Sequence, residues 1–214
     1  MDTFCPESFW MNAWKSVDRR RIADQIAHLG AGEDAIIGFL KARGAAEICD
    51  AGCGSGAYAR KLALHGFRVS GFDLSPDAAA IAGELLAESG CAASPFLAAD
   101  MLQAPYPDDA FDAVVARDVI DHMPLRDAVK AVREMLRITR RGGCLLLTLD
   151  APDEEYRLRA HEVNADGDYL FTDGKWSGMV FHPYATVDLP TLAPGMCVRI
   201  LDADDGLTVA VEKT

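Results

Sequence analysis

Lysine and arginine are in short supply in this chain: 21 of them face 33 aspartates and glutamates, a formal net charge of −12 over 214 residues. A surface this acidic repels phosphate backbones, which disfavours nucleic acid and anionic membranes as partners. The tight basic clusters, Arg19-Arg20-Arg21 and Arg137 with Arg140-Arg141, read as solvated helix faces. No apolar run approaches the roughly 18 residues of a membrane span. The segment Met1 to Glu7 lacks the basic and apolar regions of a signal peptide. No C-x-x-C pair joins any of Cys5, Cys49, Cys53, Cys91, Cys144 and Cys197, so neither a zinc ribbon nor a thioredoxin motif is present. Scattered cysteines in apolar runs behave as small hydrophobes, and the expectation is a reducing, cytoplasmic compartment. There is no internal repeat and no low-complexity linker. Half the residues are hydrophobic, enough for one large core, so residues 1–214 are read as a single domain.

What is present alternates. Helices are expected over Asp18–Leu29, Glu33–Arg43, Gly56–His65, Ser75–Glu88 and Leu125–Thr139. In the last of these, Val129, Val132 and Leu136 are expected to face inward. Short apolar strands are expected at Glu47–Asp50, Phe67–Phe72, Ser94–Ala99, Phe111–Ala116 and Gly143–Leu149. Ser75-Pro76-Asp77 is a strong helix start, with serine as N-cap, proline in the first turn and an acid beside it. Strands alternating with helices imply a parallel sheet covered on both faces. Cys197–Leu201 and Leu207–Val211, joined by an Asp- and Gly-rich turn, read as a hairpin that adds an antiparallel strand. Residues 1–44 read as a helical cap. Residues 151–185 read as an insertion with a small hairpin about Ala165-Asp166-Gly167-Asp168.

The most informative stretch is Asp50-Ala51-Gly52-Cys53-Gly54-Ser55-Gly56, a strand end running into a glycine turn and a helix. Glycines at every second position let backbone approach a ligand closely. By itself the stretch satisfies both the G-x-G-x-x-[GA] pattern of dinucleotide enzymes and the denser D-x-G-x-G-x-G pattern. Three further features separate them. Asp73, in Gly71-Phe72-Asp73-Leu74-Ser75, ends the second strand, where a carboxylate can accept both hydroxyls of a ribose. Asp100-Met101 follows the third strand, positioned to meet an adenine with a carboxylate and an N–H. Phe111-Asp112-Ala113-Val114-Val115-Ala116-Arg117 forms the fourth strand.

With these motifs in order, residues 45–149 resemble the class I S-adenosylmethionine-dependent methyltransferases. Val119-Ile120-Asp121-His122-Met123 is similar to that family's apolar-His-apolar loop, and Leu136-Arg137 with Gly142-Gly143 to its turn into strand five. The resemblance implies a Rossmann-like, doubly wound, seven-stranded sheet, mostly parallel with an antiparallel C-terminal hairpin strand. It implies S-adenosyl-L-methionine as cofactor, met by Asp50, Gly52, Cys53, Gly54, Gly56, Asp73, Leu74, Asp100, Met101 and Arg117. Asp50 would organise the glycine loop and meet the cofactor's amino group.

Methyl transfer asks the protein mainly for positioning, with a base only where the acceptor must lose a proton. His122 is the leading candidate base, with the alternative that it only lines the pocket. His182 and Tyr184 are the second catalytic candidates, with a packed, proline-kinked loop as their alternative. Trp10 and Trp14 suggest either a lid or a docking patch. Arg157 and Arg159 suggest either an anion contact or a solvated face. His161 and His182 show no metal-ligand spacing, so no metal is expected. The expected function is methyl transfer to a small-molecule acceptor. The alternatives are a tRNA or protein methyltransferase, a non-catalytic S-adenosylmethionine-binding protein, and a nicotinamide oxidoreductase.

Overall fold

A computed structural model describes residues 6–15, 17–91, 95–151, 154–204 and 206–214, with backbone alone at Glu155. Three helices come first: α1 (Pro6–Ala13), α2 (Arg19–Leu29) and α3 (Ala35–Ala42). The alternating core follows as β1 (Glu47–Ala51), α4 (Ala57–Leu64), β2 (Arg68–Asp73), α5 (Pro76–Glu88), β3 (Phe96–Ala98), β4 (Phe111–Arg117), α6 (Leu125–Ile138) and β5 (Thr139–Leu149). The remainder holds α7 (Glu154–Leu158), β6 (His161–Val163), β7 (Tyr169–Phe171), β8 (Val180–Phe181), α8 (Leu189–Leu192), β9 (Cys197–Asp202) and β10 (Leu207–Glu212).

Seven strands form one sheet in the order β3-β2-β1-β4-β5-β10-β9. The pairs from β3 to β5 are parallel, and β10 runs antiparallel to both β5 and β9. This is the doubly wound, mostly parallel sheet that the sequence leads one to expect. Strand order reverses between β1 and β4, which opens a crevice at their C-terminal ends.

Neighbouring strand residues point to opposite faces, and the apolar runs supply both. Ile48, Val115 and Leu146 pack with Leu40 of α3, Leu62 of α4 and Leu86 of α5. Cys49, Val114 and Leu145 pack on the other face with Val132 and Met135 of α6 and Leu192 of α8. Helix α3 is therefore part of the core layer and not only of a cap.

Helix starts follow their local chemistry. The Ser75 hydroxyl accepts the Ala78 N–H at 3.3 Å, with Pro76 opening α5, and the Asp34 carboxylate accepts the Ile37 N–H at 2.9 Å at the start of α3. Two expectations need correction. The buried face of α6 is Ala128, Ala131, Val132, Met135 and Ile138; Leu136 packs half-buried against the same core, and Val129 is half-buried outside it. Small alanines let this helix lie close to the sheet, so weighting the larger aliphatic side chains rotates the expected face. Strand β5 begins at Thr139 and not Gly143, because α6 passes into it with no intervening loop. The Thr139 hydroxyl donates to the Met135 carbonyl at 2.8 Å across that junction.

The insertion forms its own antiparallel sheet, β6-β7-β8. Its first two strands are the expected hairpin, and β8 adds a third. Phe171, Met179 and Phe181 bury against Phe9 and Trp10 of α1, Tyr156 of α7, and Trp176. The N-terminal helix and the insertion thus share one aromatic cluster beside the crevice. Among the described residues no helix is long and apolar enough to cross a membrane.

Candidate active site

The glycine turn folds back over β2. Gly52 and Cys53 both donate their N–H groups to the Phe72 carbonyl, at 2.8 and 3.0 Å. The Gly54 N–H donates to Asp73 Oδ2 at 2.9 Å, and the Ser75 N–H donates to Asp73 Oδ1 at 2.9 Å. The Asp73 carboxylate therefore ties the loop to the start of α5. The resemblance implies that role for Asp50, whereas the hydrogen bonds to the loop and to α5 are made by Asp73. The remaining lone pairs of Asp73 are left for a ligand.

Two of the glycines are required by what lies against them. Gly54 has φ 53°, and a β-carbon there would stand 2.9 Å from the Trp14 ring. Gly56 has φ 76°, and a β-carbon would stand 2.7 Å from the Ala82 Cα of α5. The second contact sets how closely α4 and α5 pack.

Asp50 ends β1 inside the protein. Its carboxylate lies near the Ala59 N–H of the first turn of α4, which favours its charged form. Its Oδ2 is buried with no hydrogen-bond partner among the described residues. Burial pushes its carboxyl up to about 7, opposed by the Arg117 guanidinium and reinforced by the Asp73 charge. Burial likewise raises Asp73, opposed by its two backbone hydrogen bonds. Arg117 ends β4, with its guanidinium 4.6 Å over the Tyr58 ring and 3.4 Å from Asp118. A half-partnered carboxylate deep in the protein calls for a cationic or hydrogen-bond-donating ligand.

These groups line a cavity of about 460 Å³ at the crevice between β1 and β4. Asp50, Gly52, Cys53, Gly54, Asp73, Leu74, Asp100, Met101, Arg117 and His122 all contribute to its wall. Gly56 lies just outside, at the N-cap of α4. Asp100 accepts the Leu102 N–H at 2.8 Å, which turns the chain so that Met101 buries against the cavity.

Trp10 and Trp14 close the cavity from the N-terminal side. Trp14 follows α1 by one residue and covers Gly54, and the Trp10 ring lies 5.1 Å from the His122 ring. His122 is buried, with Nδ1 3.3 Å from the Val180 carbonyl oxygen. Because a carbonyl only accepts, Nδ1 is the donor in this contact and Nε2 is the ring nitrogen left for another partner.

His182 and Tyr184 do not reach the cavity wall. His182 Nδ1 lies 2.8 Å from Asp168 Oδ1, and the same oxygen accepts the Leu125 N–H at 3.1 Å. The pair braces the insertion on the start of α6. The Tyr184 ring packs 4.5 Å from His182 and belongs to the core under α6 and α8. Arg159 lies over Trp176 at 4.7 Å, away from the cavity wall.

Sequence reasoning missed Asp118, Asp121 and Asp150. Asp121, His122 and Asp150 bring one ligating atom each within 4.8 Å of the others. Asp121 Oδ2 accepts the Asp150 N–H at 2.8 Å, and its backbone carbonyl accepts the His182 N–H at 2.7 Å. Burial pushes Asp121 up to about 6, and burial with the Asp118 charge raises Asp150. The available signal was positional: Asp118 and Asp150 each directly follow a parallel strand, where such sheets place ligands.

The chain matches the family model described as "Methyltransferase domain" over residues 49–147. It is 35% identical over 102 residues to ajmaline N-methyltransferase of Rauvolfia serpentina, covering 47% of this chain and 34% of that protein. It is 36% identical over 103 residues to the chloroplastic tocopherol O-methyltransferase of Arabidopsis thaliana, covering 47% of this chain and 29% of the relative. The matched part is therefore about a third of these relatives' length. Among solved structures, magnesium protoporphyrin IX methyltransferase from Synechocystis PCC 6803, with bound SAM, superposes with a TM-score of 0.66 at 17% identity, covering 100% of both chains. At that identity the likeness is one of fold.

Proposed function

From the premise that residues 49–147 are a methyltransferase domain, we propose that this chain transfers a methyl group from S-adenosylmethionine to a small-molecule acceptor. The observation that carries the reading is the convergence of Asp50, Asp73 and Asp100 with the glycine loop on one cavity. The residues present fit the cofactor. The unpartnered Oδ2 of Asp50 suits its ammonium group. The spare lone pairs of Asp73 suit its ribose hydroxyls. Asp100 and the Met101 N–H suit its adenine. Arg117 is the single lysine or arginine among the cavity's described lining residues, so a pyrophosphate would find little there beyond the glycine-loop N–H groups. That favours a sulfonium cofactor over a nicotinamide dinucleotide.

When bound, S-adenosylmethionine supplies an electrophilic methyl group on a sulfonium, a leaving group that needs no acid from the protein. The chain's own residues then have three tasks. The loop and Asp73 fix the reacting end. Trp10 and Trp14 exclude water. His122 Nε2 holds a proton released by the acceptor. The relatives named for ajmaline and tocopherol support a small organic acceptor. The acidic cavity wall gives a nucleic-acid acceptor no phosphate contact. Free thiols at Cys49, Cys53 and Cys144, all buried, agree with a reducing, cytoplasmic setting.

The reading is tested by S-adenosylhomocysteine release over a panel of small hydroxyl, amine, thiol and carboxylate acceptors. His122→Ala should lower turnover at least ~100-fold, in the range of general-base removal, with cofactor affinity within about twofold of wild type. A large loss of cofactor affinity with turnover preserved would make His122 a wall residue instead.

A further inference from the structure

Part of the cavity wall is not accounted for by the cofactor contacts. It is formed by Asp118, His122, Trp10 and Trp14. Asp118 has φ 53°, a left-handed conformation that non-glycine residues seldom adopt. Thr148 of β5 holds it there. The Asp118 N–H donates to the Thr148 hydroxyl at 3.0 Å and to the Thr148 carbonyl at 3.2 Å, and the Thr148 hydroxyl donates to the Asp118 carboxylate. The effect of this clamp is to hold a carboxylate, still partly open to solvent, at the cavity wall.

The positive charge at that wall is insufficient. Arg117 offsets Asp50, meets Asp118 at 3.4 Å and lies over Tyr58. Behind Asp118 stand Asp121 and Asp150, whose charges bear on one another with no second lysine or arginine in the cavity wall. Arg117 is divided among Asp50, Asp118 and Asp150, and Asp121 has only the His122 ring and the Asp150 N–H to offset it. Trp10 and Trp14 line the same cavity, and indole faces attract cations, as the Arg21 guanidinium 5.9 Å from the Trp14 ring centre illustrates. An anionic acceptor would meet repulsion here and find no clamp, and a neutral one would leave the charge unanswered.

We propose that this wall is the acceptor subsite and that it takes an amine on a planar apolar body, bound as its ammonium against Asp118 with the body against the indole wall. Loss of one proton to His122 Nε2 frees the nitrogen lone pair that forms the new bond to the methyl carbon as the carbon–sulfur bond breaks. The inference rests on the methyl-transfer reading and adds the chemical class of the acceptor.

The test is calorimetry on the full chain, first with S-adenosylhomocysteine and then, with that compound saturating, with three ligands of one shape: 2-phenylethylamine, 2-phenylethanol and 3-phenylpropionate. The amine should bind at least ~10-fold more tightly than the alcohol, with the carboxylate weakest, which is the scale of one charge-assisted contact. Asp118→Asn keeps a residue suited to the left-handed backbone. It should melt as wild type does, retain affinity for S-adenosylhomocysteine, and bind amine and alcohol within about threefold of one another. Trp10→Leu should weaken amine and alcohol alike. The proposal is overturned if alcohol or carboxylate binds as tightly as the amine, or if no amine binds at all. It is equally overturned if Asp118→Asn keeps the preference, or if the preference needs added Mg²⁺ and disappears with chelator. Failure of S-adenosylhomocysteine to bind would instead sink the underlying methyl-transfer reading.

Discussion

Replacing Asp73 with alanine is expected to cut S-adenosylmethionine affinity by roughly 100-fold and to lower the melting temperature of the free chain. The two effects share one cause. The carboxylate accepts the Gly54 and Ser75 N–H groups at 2.9 Å each, so its removal leaves one part-buried and one buried donor unsatisfied. Each such loss costs about 1–3 kcal/mol. The glycine loop loses its tie to α5, and the ribose loses its charged acceptor. A hundredfold change in affinity corresponds to about 2.7 kcal/mol, within reach of one or two charge-assisted hydrogen bonds. Asp73→Asn retains one acceptor oxygen and should fall between alanine and wild type. Calorimetry that finds the alanine variant within threefold of wild type would remove Asp73 from the cofactor site.

The second large effect is a trade of function for stability at Asp50. In the folded chain this carboxyl titrates at about 7 because it is buried. An unfolded aspartate titrates at about 3.9. Between those values the folded chain holds a proton that the unfolded chain has released, so stability falls as pH rises. The contribution is complete below about pH 4 and is lost as pH climbs through about 7. Asp121, at about 6 in the folded chain, acts in the same direction. Asp34 and Asp112, both lowered by hydrogen bonds and cationic partners against the effect of burial, have gained their stabilisation before pH 5 and do not cancel the slope.

The ligand-free chain should therefore be less stable at pH 8 than at pH 5. Asp50→Asn, isosteric and uncharged, should recover several kcal/mol at pH 8, with about 4 kcal/mol as the upper bound set by 1.36 kcal/mol per pH unit. It should flatten the profile and bind the cofactor at least ~10-fold more weakly through loss of a charge-assisted contact. Urea unfolding from pH 5 to 8 reads the first effect and calorimetry the second. A variant less stable than wild type at pH 8 would mean that Asp50 is satisfied as it stands.

Why the cofactor half was legible and the rest was not follows from how each is built. The glycine turn, Asp73 and the Ser75 cap are local features. Strand end, turn and helix start are consecutive in the chain, and their chemistry fixes their geometry. The acceptor half depends on partners that no local pattern announces. Asp118 is held by Thr148 and Asp121 by Asp150, pairs about thirty residues apart that meet only because β4 and β5 are adjacent. Trp14 meets Gly54 through the docking of α1, and a spacing of four in sequence carried no hint of which surface receives it. His182 drew attention as a histidine beside a proline. Asp168, the partner that turns it into a brace for α6, lies on the far side of a hairpin. On α6 the expected Val132 and Leu136 do face the core, and the centre of the face shifts from Val129 to Ala128 and Ala131, which bury completely while contributing little to an apolar pattern.

The central claim is that the cavity between β1 and β4 holds S-adenosylmethionine. The most direct test is a calorimetric titration of the intact chain with S-adenosylmethionine and, in parallel, with NAD. One-to-one binding of S-adenosylmethionine with no heat from NAD is the predicted result. Binding of NAD in the absence of S-adenosylmethionine binding would contradict the account.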